Sequence, residues 1–132
     1  MSYDKAIIQD ILSQLHEAIE RIEEWNHTIS SADDYTFSPE GMKTLAATCM
    51  LIEAIGEGIN KIDRRTDGKL LYAVCPQIPW KDIIGMRNHI AHGYFDIDAD
   101  FIYSAISMDL PPLREALASI SRHIEENTSS QV

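Results

Sequence analysis

The most reactive side chains of the sequence are concentrated in one segment, WKDIIGMRNHIAHGYF, at residues 80–95. An arginine, an asparagine, two histidines and a tyrosine stand close together there, at Arg87, Asn88, His89, His92 and Tyr94. On a helix, Asn88 and His92 are four residues apart and share a face, and the long side chain of Arg87 can reach toward the helix end. The spacing therefore predicts a single cluster of polar groups.

Such a cluster could cleave a phosphodiester bond that has a neighbouring ribose hydroxyl. An imidazole, with an ordinary pKa of about 6.5, can accept the proton of a 2′-hydroxyl at neutral pH, and His92 is predicted to be that base. A guanidinium can bind the non-bridging phosphate oxygens as negative charge accumulates, which is the role predicted for Arg87. Asn88 could orient the imidazole or donate to phosphate. Neither a metal ion nor another cofactor is expected.

Two plainer interpretations of the same residues stay open from spacing alone. Arginine and histidine are common in the last turn of a helix because they complement the negative end of its dipole. His89 and His92 could also be two metal ligands, but no further His, Cys or carboxylate pair completes a recognisable set.

The elements that position this segment are predicted to be helices. Apolar residues recur at steps of three and four from about residue 4 to residue 25, which predicts an amphipathic helix capped by Ser2 or Asp4. The polar stretch 26–38 is predicted to be a loop. Ser38-Pro39 then predicts the start of a second, long helix.

That second helix is predicted to run to about Arg65, where Asp67-Gly68 ends it. Residues 69–79 are predicted to be a loop with one short helical turn at 70–74. Three further helices are predicted: 80–92, ended by Gly93; about 98–107, capped by Asp96 or Asp98; and one that Pro111-Pro112 separates from its predecessor. Because no stretch alternates like a strand, we expect an all-α, up-and-down bundle of about five helices.

Length and composition predict one domain at residues 1–126 and a short polar C-terminal tail at 127–132. The net charge is −10 and the pI is near 4.7, which is unlike a typical nucleic-acid-binding protein. Contact with RNA would then need positive charge from a partner or from a local cluster. The candidates for that cluster are Lys61, Arg64, Arg65, Lys81 and Arg87.

Other residues have structural interpretations. Cys49 and Cys75 lack metal-ligand spacing and are expected to be buried, reduced thiols. Trp25 and Trp80 are expected to be packing residues, although Trp80 could stack on a base. With no signal peptide and no run of 18 apolar residues, the protein is expected to be cytoplasmic.

The motif Arg87-Asn88-x-x-x-His92, followed by Gly93-Tyr94, resembles the R-x4-H-x-Y signature of HEPN-domain ribonucleases. It is similar in particular to the HepT toxins, which pair with a minimal nucleotidyltransferase antitoxin, MntA. Residues 55–60, 80–86 and 94–98 also look like that family, so the resemblance extends from the first helix to Leu113.

The resemblance implies a HEPN-like fold and the toxin of a type VII toxin–antitoxin system, a metal-independent endoribonuclease with tRNA as a candidate substrate. It implies that Arg87, Asn88 and His92 are catalytic. It also implies that Tyr94 receives AMP from an MntA-like nucleotidyltransferase, which would neutralise the toxin. A homodimer is implied, in which two motifs face each other and combine their positive charge.

Three questions stay open at this stage. Glu53 and Glu57 could be ion-pair partners of Arg87, or plain solvated residues of a long helix. The chain could be a non-catalytic accessory subunit that binds nucleotide or substrate for a nucleotidyltransferase, in which case the purified protein would leave RNA intact. It could also be a helical interaction module in which the motif only caps a helix.

Overall fold

A computed structural model describes residues 3–90 and 93–130, with side chains as far as residue 127. Helices account for the regular structure of these residues, and no strand occurs among them. In chain order the helices are α1 (Lys5–Trp25), α2 (Asp33–Thr36), α3 (Pro39–Arg65), α4 (Leu70–Val74), α5 (Trp80–Ile84), α6 (Arg87–Ile90), α7 (Ala99–Ser104) and α8 (Leu110–Ser130). The prediction of an all-α helical bundle is confirmed.

The long helices begin and end where local chemistry predicts. The Asp4 carboxylate accepts a hydrogen bond from the backbone N–H of Ile7 and caps α1. Ser38 caps α3 in the same way, and Pro39 is its first helical residue. After α3 the backbone turns left-handed at Asp67 and Gly68, with φ angles of 55° and 69°.

Helix α3 is the centre of the bundle, since it packs against α1, α2, α4, α5, α6 and α7. A Cβ at Gly58 would lie 2.7 Å from Cδ2 of Leu15, so the missing side chain lets α1 and α3 approach closely. A Cβ at Gly56 would lie 3.3 Å from the carbonyl oxygen of Ile83. Small residues along α3 therefore bring both α1 and the motif segment close to its backbone.

The predicted loop at 26–38 was wrong in part, because it contains the short helix α2. Tyr35 of this helix is fully buried, and its hydroxyl donates to Oδ1 of Asn26. Asn26 in turn donates from Nδ2 to Thr48 Oγ1 in α3 at 2.9 Å. This buried hydrogen-bond network holds α2 against the end of α1 and the N-terminal half of α3, and local sequence periodicity does not reveal it.

The predicted single helix from Trp80 to His92 is wrong in its middle, because Gly85 and Met86 form a turn between α5 and α6. The end of α5 rests on α3 at Gly56, and glycine at position 85 has low helix propensity. This close contact and the glycine together break the helix just before the motif. The predicted end at His92 lies outside the described residues.

The prediction that Pro111-Pro112 separates two helices is also wrong. Helix α7, capped by Asp98, passes through a π-helical turn at Ala105–Asp109 directly into α8. In this turn the N–H of Leu110 bonds to the carbonyl of Ala105, five residues back. The wider turn opens the helix just before the prolines, which then stand in the first turn of α8, where they are tolerated. Helix α8 continues to Ser130, into the predicted tail.

The two tryptophans, Trp25 and Trp80, differ in how deeply they are buried. Trp80 is fully buried, and its indole N–H donates to the carbonyl of Cys75 at 2.9 Å. It is therefore a packing residue and offers no face to a base. Trp25 is 40% exposed, so the prediction that it is a packing residue holds for only part of its side chain.

Both cysteines are buried free thiols, as predicted. Burial, aided by the charge of Glu53, raises the pKa of Cys49 to about 11. Burial also raises the pKa of Cys75. Both thiols are thus protonated and weakly nucleophilic at neutral pH. Across the part of the chain that the structure describes, no helix has the length and apolarity needed to cross a membrane.

Candidate active site

Arg87 is the first residue of α6, and its side chain extends toward α3. Its Nη1 lies 3.1 Å from Oε1 of Glu57, one of the two glutamates considered as partners. The side chain of Arg87 is 61% exposed and that of Glu57 is 49% exposed. This ion pair connects α6 to α3 across thirty positions of sequence.

The exposed pair orients Arg87 more than it stabilises the fold. Ion pairs in solvent contribute roughly 0–1 kcal/mol to stability. A guanidinium has five N–H donors, and the one hydrogen bond to Glu57 leaves other donors able to bind a ligand. Glu53 lies one turn earlier on α3 and is exposed, and no ion pair joins it to the described residues. The open question is resolved for Glu57 as an ion-pair partner of Arg87.

Asn88 and His89 follow on the same short helix and are both exposed. The ring of His89 stacks on the ring of Phe101 in α7, with centroids 4.6 Å apart and planes inclined by 25°. Arg87 and His89 are two positions apart, so they project from roughly opposite sides of α6. Helix α6 therefore presents one cation toward α3 and one imidazole toward α7.

Tyr94 lies on a single 3-10 turn, Tyr94–Asp96, that follows Gly93. Gly93 has a φ of 94°, a conformation that glycine adopts without strain. The phenol of Tyr94 is 46% exposed and meets the ring of Phe95 edge-on, with centroids 5.0 Å apart. Its side chain is thus partly exposed, seven residues after Arg87 in the sequence.

His92, the predicted base, lies outside the described residues together with Ala91. It follows the buried Ile90 and precedes Gly93 in the sequence. The structure thus places Arg87 and Asn88 on one exposed helical turn and Tyr94 on the next turn of the chain. The predicted grouping of these three with His92 stays a prediction.

The residues of the predicted basic cluster are exposed and belong to three helices, since Arg87 lies on α6. Lys61, Arg64 and Arg65 lie in the last turns of α3, and Lys81 lies on α5. Lys61 and Arg64 are four and seven residues after Glu57, so they share its face of α3 and continue the positive charge away from Arg87. Among the residues that the structure describes, no group of three or more His, Cys, Asp or Glu residues is placed to hold a metal ion.

A family model described as "Ribonuclease HepT-like" matches residues 15–120, a span that includes α6 and the turn with Tyr94. The chain belongs to the HepT-like ribonuclease family. The resemblance inferred from the motif is thereby confirmed at the level of the family. The described helices agree with an all-α HEPN-like fold.

Individual relatives of this HepT-like chain agree with the match. It is 33% identical over 106 residues to "Probable ribonuclease HepT" of Thermococcus cleftensis, covering 80% of this chain and 88% of that protein. It is 27% identical over 122 residues to "Putative RNase MJ0125" of Methanocaldococcus jannaschii, covering 92% of this chain and 94% of that one. No solved structure gives a significant match.

One feature of this HepT-like site was not predicted from the sequence, the stacking of His89 on Phe101. The two residues are twelve positions apart and belong to different predicted helices, so helical periodicity does not connect them. The sequence signal for this contact was His89, a histidine to which the R-x4-H-x-Y motif gives no role. Its ring has a structural partner, and it lines a hollow that the motif does not account for.

Proposed function

We propose that this chain is the toxin of a type VII toxin–antitoxin system and cleaves RNA as a metal-independent endoribonuclease. The observation that carries the proposal is the exposed guanidinium of Arg87, held by Glu57 at 3.1 Å within the family motif. An arginine oriented in this way can bind a phosphate with its remaining donors. Family membership supports RNA as the substrate, and tRNA is a candidate.

The proposed reaction is transfer of the phosphoryl group within one strand. His92 removes the proton from the ribose 2′-hydroxyl, and the 2′-oxygen forms a bond to the adjacent phosphorus. The bond from phosphorus to the 5′-oxygen breaks, and that oxygen receives a proton from solvent. The products are a 2′,3′-cyclic phosphate and a 5′-hydroxyl. Arg87 stabilises the charge on the non-bridging oxygens, and Asn88 orients the imidazole or the phosphate.

A homodimer is part of the proposal. With a net charge of −10, one chain repels RNA over most of its surface. Two motifs that face each other would double the number of arginines along a shared cleft. The ring of Phe95 is 92% exposed beside Tyr94, and a second copy of the chain would cover such an apolar surface.

The cleavage proposal is tested by incubating wild-type, His92→Ala and His16→Ala proteins with total RNA in EDTA. We expect fragments with 2′,3′-cyclic phosphate ends from the wild type and from His16→Ala, and none from His92→Ala. His16 is a matched control because it is an exposed histidine on α1, paired with Glu20 outside the motif. RNA left intact by all three unmodified proteins would contradict the proposal and favour a nucleotide-binding or substrate-binding accessory subunit.

The proposed antitoxin is an MntA-like nucleotidyltransferase that transfers AMP to Tyr94. The phenolic oxygen attacks the α-phosphorus of ATP, diphosphate leaves, and the phenolic proton goes to solvent. The partial exposure of the Tyr94 side chain suits this attack. The added phosphate would bring negative charge and bulk to the motif segment, which would hinder the approach of RNA.

We expect Tyr94→Phe to prevent modification while leaving RNA cleavage active, because only the acceptor oxygen is removed. The protein is co-expressed with the nucleotidyltransferase, and its intact mass shows whether adenylyl groups are attached. Tyr103→Phe is the matched control, since the hydroxyl of Tyr103 donates to the carbonyl of Ser30 at 2.7 Å and is already engaged. Modification that persists in Tyr94→Phe and disappears in Tyr103→Phe would show that the assignment is wrong.

A further inference from the structure

A hollow of about 360 Å³ lies beside α6 on the side that carries His89. Its volume lies within the range of about 300–1,000 Å³ that is common for small-molecule sites. The stacked rings of His89 and Phe101 contribute to its wall, and Met86 and Ile83 contribute apolar surface. This hollow shares α6 with Arg87 but uses the opposite side of the helix.

We propose that this hollow binds one guanine base of the RNA substrate. The proposal rests on the proposed ribonuclease function and assigns a recognition site next to the predicted cleavage site. It concerns residues that lie outside the predicted catalytic set.

Stacking is the first observation that supports a base. His89 is exposed, and its ring already stacks on that of Phe101 with the planes inclined by 25°, so one more flat ring can continue the stack. Proteins that bind single-stranded RNA commonly hold unpaired bases on aromatic and histidine side chains in this way. Because α7 holds the imidazole in place, the platform exists before RNA arrives.

The polar groups around the hollow favour guanine. The residues that line the hollow include two acidic ones, Asp82 and Asp109, and one basic one, Lys81. Within the described part of the chain, none of these three forms an ion pair, so they are available to a ligand. Guanine presents two adjacent N–H groups, at N1 and N2, which a carboxylate can accept with both oxygens. Its O6 and N7 are acceptors for an ammonium.

The charged residues of the hollow disfavour phosphate and the other three RNA bases. Two carboxylates and one ammonium repel phosphate, so the sugar–phosphate backbone is expected to stay outside, toward Arg87. Adenine, cytosine and uracil lack a ring N–H next to an exocyclic amino group, so none of them can donate two neighbouring hydrogen bonds to one carboxylate. Guanine is therefore the RNA base that satisfies both the acidic and the basic groups of the hollow.

The test measures which sequences the full-length protein cleaves in a random RNA library, read by sequencing the fragment ends. We expect guanine to be enriched at one fixed position relative to the cut. Asp82→Asn/Asp109→Asn is expected to lose that enrichment, and His89→Ala is expected to raise KM about tenfold. Asp100→Asn, an exposed carboxylate on α7 that does not line the hollow, is the matched control and should keep the enrichment.

Cleavage without a guanine preference, or a preference that survives in Asp82→Asn/Asp109→Asn, would overturn the guanine site while leaving the ribonuclease proposal intact. A second measurement does not depend on cleavage. Wild-type protein is titrated with guanosine, inosine and adenosine monophosphates, and guanosine monophosphate is expected to bind at least tenfold more tightly than the other two. Equal affinities, or a preference for guanosine that the double variant retains, would refute the site even in a protein that cuts no RNA.

Discussion

Replacing Arg87 by alanine is expected to slow RNA cleavage by about 10²–10³-fold, the usual effect of removing one donor that stabilises developing negative charge. The guanidinium is exposed and held toward α3 by Glu57, so its loss removes charge and hydrogen bonds without opening the core. Single-turnover cleavage of a defined RNA at saturating protein measures this effect on the chemical step. Arg87→Lys should recover only part of the rate, because an ammonium cannot bind two phosphate oxygens as a fork.

Arg21→Ala is the matched control for the loss of an exposed arginine and its ion pair. Arg21 lies on α1, with Nη1 3.3 Å from Oε2 of Glu24, and belongs to no part of the motif. The Arg21→Ala protein should cleave RNA at the wild-type rate. Glu57→Gln should slow cleavage less than Arg87→Ala, because it removes the ion pair that orients Arg87 but leaves the guanidinium in place. If Arg87→Ala cleaved within twofold of the wild type, Arg87 would have no catalytic role.

The second large effect concerns stability. Trp80→Ala is expected to lower the free energy of unfolding by about 3–5 kcal/mol, because it empties a fully buried site of the size of an indole. The carbonyl of Cys75 would also lose the indole donor and keep only the longer hydrogen bond from the N–H of Ile78. Urea unfolding followed by circular dichroism measures the change, and this signal does not depend on tryptophan fluorescence.

Trp25→Ala is the matched control, since Trp25 is the other tryptophan and is 40% exposed. Trp25→Ala should cost clearly less than Trp80→Ala, because Trp25 already exposes 40% of its surface and leaves no enclosed cavity when it is removed. If Trp80→Ala does not fold, Trp80→Phe keeps most of the volume and should cost about 0.5–1.5 kcal/mol for the lost indole hydrogen bond, since the carbonyl of Cys75 still accepts from the N–H of Ile78 at 3.4 Å. Equal losses for the two alanine variants would mean that Trp80 is not the packing anchor of α5.

Helix ends could be predicted from the sequence where short-range chemistry sets them. Asp4 and Ser38 each accept a hydrogen bond from an N–H three residues ahead, and such caps are visible in the sequence. Asp67-Gly68 ends α3 because its backbone must turn left-handed. These features need no information from distant parts of the chain.

The errors arose where distant contacts or unusual helical turns override local preference. The motif helix breaks at Gly85 because the end of α5 rests against Gly56, far away in sequence. Pro111-Pro112 predicts a break because prolines commonly interrupt helices, but a π turn just before the pair accommodates it. Neither outcome follows from residue spacing.

The candidate site was predictable in composition and only partly in geometry. The motif identified Arg87, Asn88 and Tyr94 as neighbours, and the structure places them on consecutive turns of the chain. The choice between Glu53 and Glu57 as a partner of Arg87 depended on how α6 packs on α3. That packing is a tertiary property, and it also decides that His89 meets Phe101.

The π turn at Ala105–Asp109 holds one residue more than an ordinary α-helical turn. Because the wider turn absorbs that residue, α8 keeps nearly the rotation that an uninterrupted α-helix would give it. Deleting one residue within the turn would let it close as an ordinary α turn, and the buried stripe of α8 should still face the core. Deleting one residue in the middle of α8 would instead rotate the rest of that helix by about 100° and turn its apolar stripe toward water. The stretch 105–109 is therefore expected to tolerate a single-residue deletion that α8 itself does not.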